Sequence, residues 1–167
     1  MSEIVNRVAQ SKLVTFDLEE LYPEGDRVVF DIKDWLYEGL ILREKEFREK
    51  ANQHDWSVYE GCYVALSCST DAIIPAWAYL FLSSRLKPFA KAVIVGDLED
   101  LETSIYQDIL QNLDVSNFMD RPVIIKGCSN KPVPQNAYLF AIGKIQEVAK
   151  SVMYGEACSS VPLYKRK

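Results

Sequence analysis

Three of the four cysteines in this chain recur in one local pattern. Cys68-Ser69 runs on to Ile74-Pro75, Cys128-Ser129 to Val133-Pro134, and Cys158-Ser159 to Val161-Pro162. Each thiol follows an apolar run with the character of a β-strand. Open parallel sheets bind their ligands in the crevice outside the carboxyl ends of the strands, where the amides of the following helices also point. The pattern therefore predicts that Cys68, Cys128 and Cys158 share one edge of a sheet. Three thiolates that meet there can hold Zn²⁺ with a fourth ligand from Asp71, Asp97, Glu156 or His54, or an iron-sulfur cluster with one open or non-cysteine position. Soft sulfur ligands favour these metals over magnesium or calcium.

The same residues admit two other readings. Cysteine is a small, readily buried residue that fits at strand ends on packing grounds alone. A thiol enzyme would instead use Cys128 or Cys158, activated at a helix N-terminus, with Glu156 or Asp97 assisting proton transfer. The separations, 68 to 128 and 128 to 158, match no compact ligand motif such as a paired CxxC. Cys62 stands apart, because it comes before a strand rather than after one, and is expected to be structural.

Other candidates carry plainer expectations. His54 is the one histidine of the chain, and its place at the end of a charged helix suits a cation at a helix C-terminus. Asp97, with Glu99 and Asp100, suits the cap of the helix that follows. Gly96 and Gly127 stand alone, so no GxGxxG or GxxxxGK[ST] phosphate cradle and no GxSxG elbow is present. Trp35, Trp56 and Trp77 are expected in the core.

The elements that must position these residues are legible from Tyr63 onward. Tyr63 to Cys68 reads as a strand, followed by a helix capped by Thr70 or Asp71 with Pro75 in its first turn. Ala92 to Val95 is a second strand, and Leu98 to Leu113 an amphipathic helix. Pro122 to Lys126 is a third strand, Pro134 to Ala149 a helix, and Ser151 to Tyr154 a fourth strand. Strands alternating with helices imply right-handed crossovers and a parallel sheet. Upstream, Leu13 to Leu18 and Arg27 to Asp31 read as strands that pair as an edge hairpin around Tyr22-Pro23-Glu24-Gly25-Asp26, and Glu44 to Gln53 as a charged helix. The expected fold is α/β, an open, mainly parallel, Rossmann-like three-layer sheet flanked by helices with an N-terminal hairpin and helix added. With no repeat, linker or low-complexity segment, residues 1–167 are expected to form one domain.

Composition narrows the class. A net charge of −5, and no basic run longer than Lys165-Arg166-Lys167, argue against nucleic acid or an anionic membrane surface as partner. The most apolar window, Ala72 to Leu82, is too short to span a bilayer. The N-terminus lacks the charged, apolar and small-residue segments of a secretory signal, so a cytoplasmic, reducing location with free thiols is expected.

Three strings look familiar together: Asp31-Ile32-Lys33-Asp34-Trp35-Leu36, Glu44-Lys45-Glu46-Phe47-Arg48, and Gly127-Cys128 with Lys131-Pro132-Val133-Pro134. With Gly155-Glu156, Cys158 and Val161-Pro162 they resemble the bacterial family, found mainly in Bacteroidetes, catalogued as domain of unknown function 2480. The resemblance covers the whole chain and brings no assigned activity. Members of that family tend to be encoded near iron-sulfur cluster assembly genes, so the resemblance implies iron-sulfur assembly proteins as partners. The expected function is thus an accessory cytoplasmic protein associated with a metal or iron-sulfur cluster through Cys68, Cys128 and Cys158. The alternatives are a thiol-dependent enzyme and a metal-free module that binds a small molecule.

Overall fold

Val64-Ala65-Leu66 and Val123-Ile124-Ile125 are apolar at consecutive positions, so both faces of each strand need cover, which parallel pairing with crossover helices supplies. All six residues are buried. The structure, a computed structural model, describes residues 12–127 and 130–167. In chain order its elements are β1 (Val14–Phe16), β2 (Arg27–Asp31), α1 (Glu44–Gln53), β3 (Tyr63–Ser67), α2 (Ala76–Leu86), β4 (Ala92–Val95), α3 (Leu98–Gln111), β5 (Pro122–Ile125), α4 (Gln135–Ile145), β6 (Ser151–Glu156) and β7 (Ser159–Lys165). Short 3-10 turns lie at Leu18–Leu21, Ile32–Trp35, Trp56–Tyr59 and Ser116–Phe118.

The chain divides into two compact units. The first, Pro23–Ile105, holds a three-stranded sheet in the order β2-β3-β4, parallel throughout. α1 is charged along most of its length, and it buries Phe47 and Ala51, one turn apart on a single face. The indole N–H of Trp56 donates to the Ala51 carbonyl at 2.9 Å. α2 buries Ala78, Leu82 and Leu86 at the same four-residue spacing, in one core with Phe30, Val64 and Leu66.

The second unit comprises the described residues up to Tyr22 together with Tyr106–Lys167. Its sheet has the order β1-β5-β6-β7, parallel except for the last pair. α4 buries Ala137, Ala141 and Ile145, two of them small enough for a helix to lie close to the sheet. The buried Tyr106 hydroxyl donates to the Leu18 carbonyl at 2.8 Å.

The α/β class, with mainly parallel strands flanked by helices, is as expected. Its topology differs from the expectation at four places. The four strands expected in one sheet are divided two and two: β3 with β4, and β5 with β6, each pair parallel. Strand and helix alternation specifies parallel crossovers without specifying which sheet a later strand joins. The N-terminal hairpin does not form, because β1 pairs with β5 and β2 with β3, both in parallel. The intervening residues contain a 3-10 turn capped by Asp17. α2 begins later than expected, with Pro75 as its N-cap and no side-chain cap. β7 was not anticipated: it is exposed along most of its length and contains Pro162, so neither alternation nor propensity marks it, and an edge position tolerates both. Among the described residues no helix is long and apolar enough to cross a membrane.

Candidate functional site at the carboxyl ends of the strands

In the first unit, parallel register sets Asp31 of β2 opposite Ser67 of β3. The Asp31 carboxylate accepts from Lys33 N at 3.0 Å and from Ser69 N at 3.1 Å, so one side chain holds the turn after its own strand and the loop after its neighbour. The Ser69 hydroxyl lowers the Asp31 pKa most, the backbone donors and Lys33 add to it, and partial burial opposes them. Cys68 lies in that loop, half-buried, its Sγ 3.4 Å from Thr70 Oγ1. Thr70 spends its own hydroxyl proton on the Gly39 carbonyl at 2.7 Å, which leaves the thiol to donate. Burial, and after it the neighbouring Cys68, push the Tyr79 hydroxyl up.

Because its folded-state pKa is depressed, Asp31 contributes stability that is fully present above the ordinary aspartate range and is lost as pH falls through the depressed value. Urea unfolding midpoints of wild type and Asp31→Asn are therefore expected to differ most near neutrality and to converge as pH drops below about 4. Parallel pH profiles would show that the carboxylate contributes nothing.

In the second unit the corresponding edge is more heavily charged. Asp17, just past β1, caps the following turn by accepting from Glu19 N at 2.9 Å, while its other oxygen lies 3.2 Å from Lys126 Nζ. Lys126 follows β5 directly, and its N–H donates to the Phe16 carbonyl at 2.9 Å. Asp17 holds the Lys126 ammonium above its usual range, with Glu156 and Glu19 adding to the effect. A Glu19 carboxylate oxygen accepts from both Asn130 N and Lys131 N. At Gly127 the carbonyl accepts from the Tyr154 hydroxyl at 3.3 Å, and a Cβ would lie 2.8 Å from Tyr154 Cζ. A side chain at this position would displace the Tyr154 ring. Residues on both sides of positions 128 and 129 are thus anchored, one side by Tyr154 and the other by Glu19.

The sequence-predicted ligands fall as follows. Cys68 lies in the first unit, directly after β3. Cys158 is exposed in the two-residue turn Ala157-Cys158 that joins β6 to β7 in the second unit, across which Glu156 pairs with Ser159. Cys128 lies outside the described residues. Among the described residues, no three His, Cys, Asp or Glu side chains gather as a metal-binding group. Cys62 precedes β3 and is buried, its thiol directed to the carbonyls of Glu60 at 3.7 Å and Val58 at 3.9 Å, the structural role expected of it. His54 ends α1 as expected, donating its N–H to the Lys50 carbonyl at 3.0 Å, and its half-buried ring also packs against aromatic neighbours. Its Nε2 lies 3.1 Å from the Tyr59 hydroxyl, and Trp35 and Trp56 meet it edge to face at 5.4 and 4.8 Å. Asp97 caps α3 as expected: its Oδ1 accepts from Asp100 N at 2.9 Å, and its own N–H donates to Asp100 Oδ2 at 3.0 Å.

Asp17, Glu19, Lys126 and Tyr154 escaped the sequence reading. The signal available was polar residues placed directly after apolar strand runs, the same criterion that singled out the cysteines.

A family model described as a protein of unknown function, DUF2480, matches residues 2–166. No curated protein and no solved structure matches the chain.

Proposed function

Since the chain belongs to the DUF2480 family, whose description assigns no activity, its function has to be read from its own residues, and we propose that it is an accessory protein that holds a soft metal ion or an iron-sulfur cluster through Cys68, Cys128 and Cys158. The observation that carries this reading is the contrast among the described thiols. Cys62, at the amino end of β3, is buried and bonded to carbonyls, whereas Cys68 and Cys158 follow the carboxyl ends of β3 and β6 and reach solvent. The donor set suits Zn²⁺ or a cluster, since thiolate sulfur is their preferred ligand. Of the four expected fourth ligands, Asp97 is engaged in its helix cap and His54 with Tyr59, which leaves Asp71 and Glu156. In this proposal the protein works in the reducing cytoplasm, and iron-sulfur assembly proteins are its partners.

Anaerobic titration with Co²⁺ tests the ligand set. Thiolate-to-cobalt charge-transfer absorption is expected for wild type and Cys62→Ser, and its loss or weakening for each of Cys68→Ser, Cys128→Ser and Cys158→Ser. No such band in wild type, or its loss through Cys62→Ser alone, would overturn the assignment. The exposure of Cys158 favours a second reading, a thiol-dependent enzyme using Cys128 or Cys158, because a nucleophile must be reached by its substrate. Rapid alkylation of either thiol at neutral pH, without metal uptake, would select it.

A further inference from the structure

We infer that this chain is two copies of one β-α-β-α-β unit, one inserted inside the other, and that each copy is a cooperative unit with its own core. The signature in the sequence is a constant offset. Pro75, Ala78-Tyr79-Leu80-Phe81, Ala90-Lys91, Val93 and Gly96 recur 59 positions later as Pro134, Ala137-Tyr138-Leu139-Phe140, Ala149-Lys150, Val152 and Gly155. At the front of each copy the offset is 14, from Phe16-Asp17 to Phe30-Asp31. No single period exposes the copies, because the offset steps from 14 to 59 where one interrupts the other, and so the chain reads as free of repeats. The two compact units part at the same places, between Tyr22 and Pro23 and within α3.

The structure matches the copies position by position. Strand order is β2-β3-β4 in the inserted copy and β1-β5-β6 in the host, parallel throughout, and the registers coincide: Val28 pairs with Val64 and Val64 with Val93, as Val14 pairs with Val123 and Val123 with Val152. Pro75 and Pro134 are both helix N-caps. Ala78, Leu82 and Leu86 of α2 are buried at the positions of Ala137, Ala141 and Ile145 of α4, and Phe47 and Ala51 of α1 at those of Tyr106 and Leu110 of α3. A shared architecture accounts for that much. It does not dictate the details of turns, and these coincide too. Asp31 accepts from Lys33 N as Asp17 does from Glu19 N, and Asp55 accepts from Ser57 N as Asp114 does from Ser116 N. Gly61 is left-handed at φ +71°, and its counterpart Asp120 holds φ +55°, a conformation that residues other than glycine adopt uncommonly.

The copies diverge at the carboxyl edge. Asp31 also holds the loop after β3 through Ser69 N, whereas in the host copy that task falls to Glu19, on Asn130 N and Lys131 N, and the second oxygen of Asp17 meets Lys126. Lys126, Tyr154 and Glu156 stand where the inserted copy has Ser67, Val95 and Asp97, so the charged edge is the host copy's own and not a requirement of the fold. The loops after β3 and β5 each carry one thiol, Cys68 and Cys128.

Hydrogen exchange of the full chain, read by mass spectrometry, tests the inference through two mild core substitutions at equivalent positions, Leu86→Val and Ile145→Val. Leu86→Val is expected to speed exchange in residues 27–95 by about three- to tenfold and to leave 13–22 and 122–156 unchanged. Ile145→Val should do the reverse. The diagnostic segment is 13–22, which is expected to respond with 122–156, far away in the sequence, and not with its neighbour 27–31. Either substitution accelerating both copies alike, or 13–22 following 27–31, would overturn the inference.

Discussion

Replacing Glu102 by alanine is expected to destabilise the protein by about 3–5 kcal/mol, the range for breaking a buried ion pair by removing one member. Glu102 is the buried acidic residue of the first unit, with 7% of its side chain exposed, and the Arg27 side chain is 12% exposed. Arg27 Nε donates to Glu102 at 2.6 Å and Nη2 at 3.4 Å. The other guanidinium nitrogen donates to the carbonyls of Pro23 at 2.9 Å and Gly25 at 2.5 Å, and the group lies 4.9 Å from the Tyr63 ring centroid. Arg27 thereby fixes the turn that feeds β2, in which Gly25 adopts a φ of +134° and lies too close to the Gly61 carbonyl to admit a side chain. Without Glu102 the guanidinium loses the carboxylate to which its Nε and Nη2 donate. The double substitution Arg27→Met with Glu102→Leu is expected to cost much less than Glu102→Ala, because the desolvation penalty disappears along with the attraction. Urea denaturation of the two variants measures the difference. A cost below about 1 kcal/mol for Glu102→Ala would place the pair among surface ion pairs.

Phe47→Ala carries an expected loss of similar size, about 3–5 kcal/mol, from lost transfer free energy and the cavity left behind. Phe47 is fully buried on a helix whose other faces are charged, and its ring meets Trp35 at 5.5 Å and Trp77 at 5.8 Å between centroids, both edge to face. With Ala51 the only other buried residue of α1, Phe47 is the main anchor of that helix. Removing it should also alter tryptophan fluorescence and near-ultraviolet dichroism, since Trp35 and Trp77 lose a ring contact. Phe47→Leu retains most of the buried volume and should lose less than half as much stability. Equal losses from the two substitutions would mean that ring geometry rather than volume holds the helix.

These two cases show what the chain discloses before it is folded. The helix at 44–53 is legible with its boundaries, and so are the strands whose runs are wholly apolar, because continuous hydrophobicity signals cover on both faces. The pairing of Arg27 with Glu102 is not, since their partnership depends on the fold. Glu102 lies on the stripe of α3 that continues through Ile105 and Tyr106, so the register that buries those residues also buries the carboxylate. The two-sheet arrangement is hidden for a related reason: which inner strand captures β1 or β2 depends on long-range packing.

At the candidate site, the position of thiols after strands is readable from sequence, and so is the structural character of Cys62. The neighbours that hold the loops are not. Asp31, at the end of β2, ties down the Cys68 loop, and Glu19, for which the sequence offered no reading, holds Asn130 and Lys131. Both are carboxylates accepting from backbone N–H groups far away in the chain, and no spacing rule encodes such a contact.

The proposed role stands on whether the thiols carry a metal or a cluster in the protein as made in the cell. Zinc, iron and acid-labile sulfide, measured per chain in protein purified without oxygen, test this most directly. The account predicts close to one equivalent of zinc, or iron and sulfide in cluster proportion, with the content falling sharply in Cys68→Ser, Cys128→Ser and Cys158→Ser and unchanged in Cys62→Ser. Wild-type protein free of metal and sulfide, or a content indifferent to those three substitutions, would contradict it.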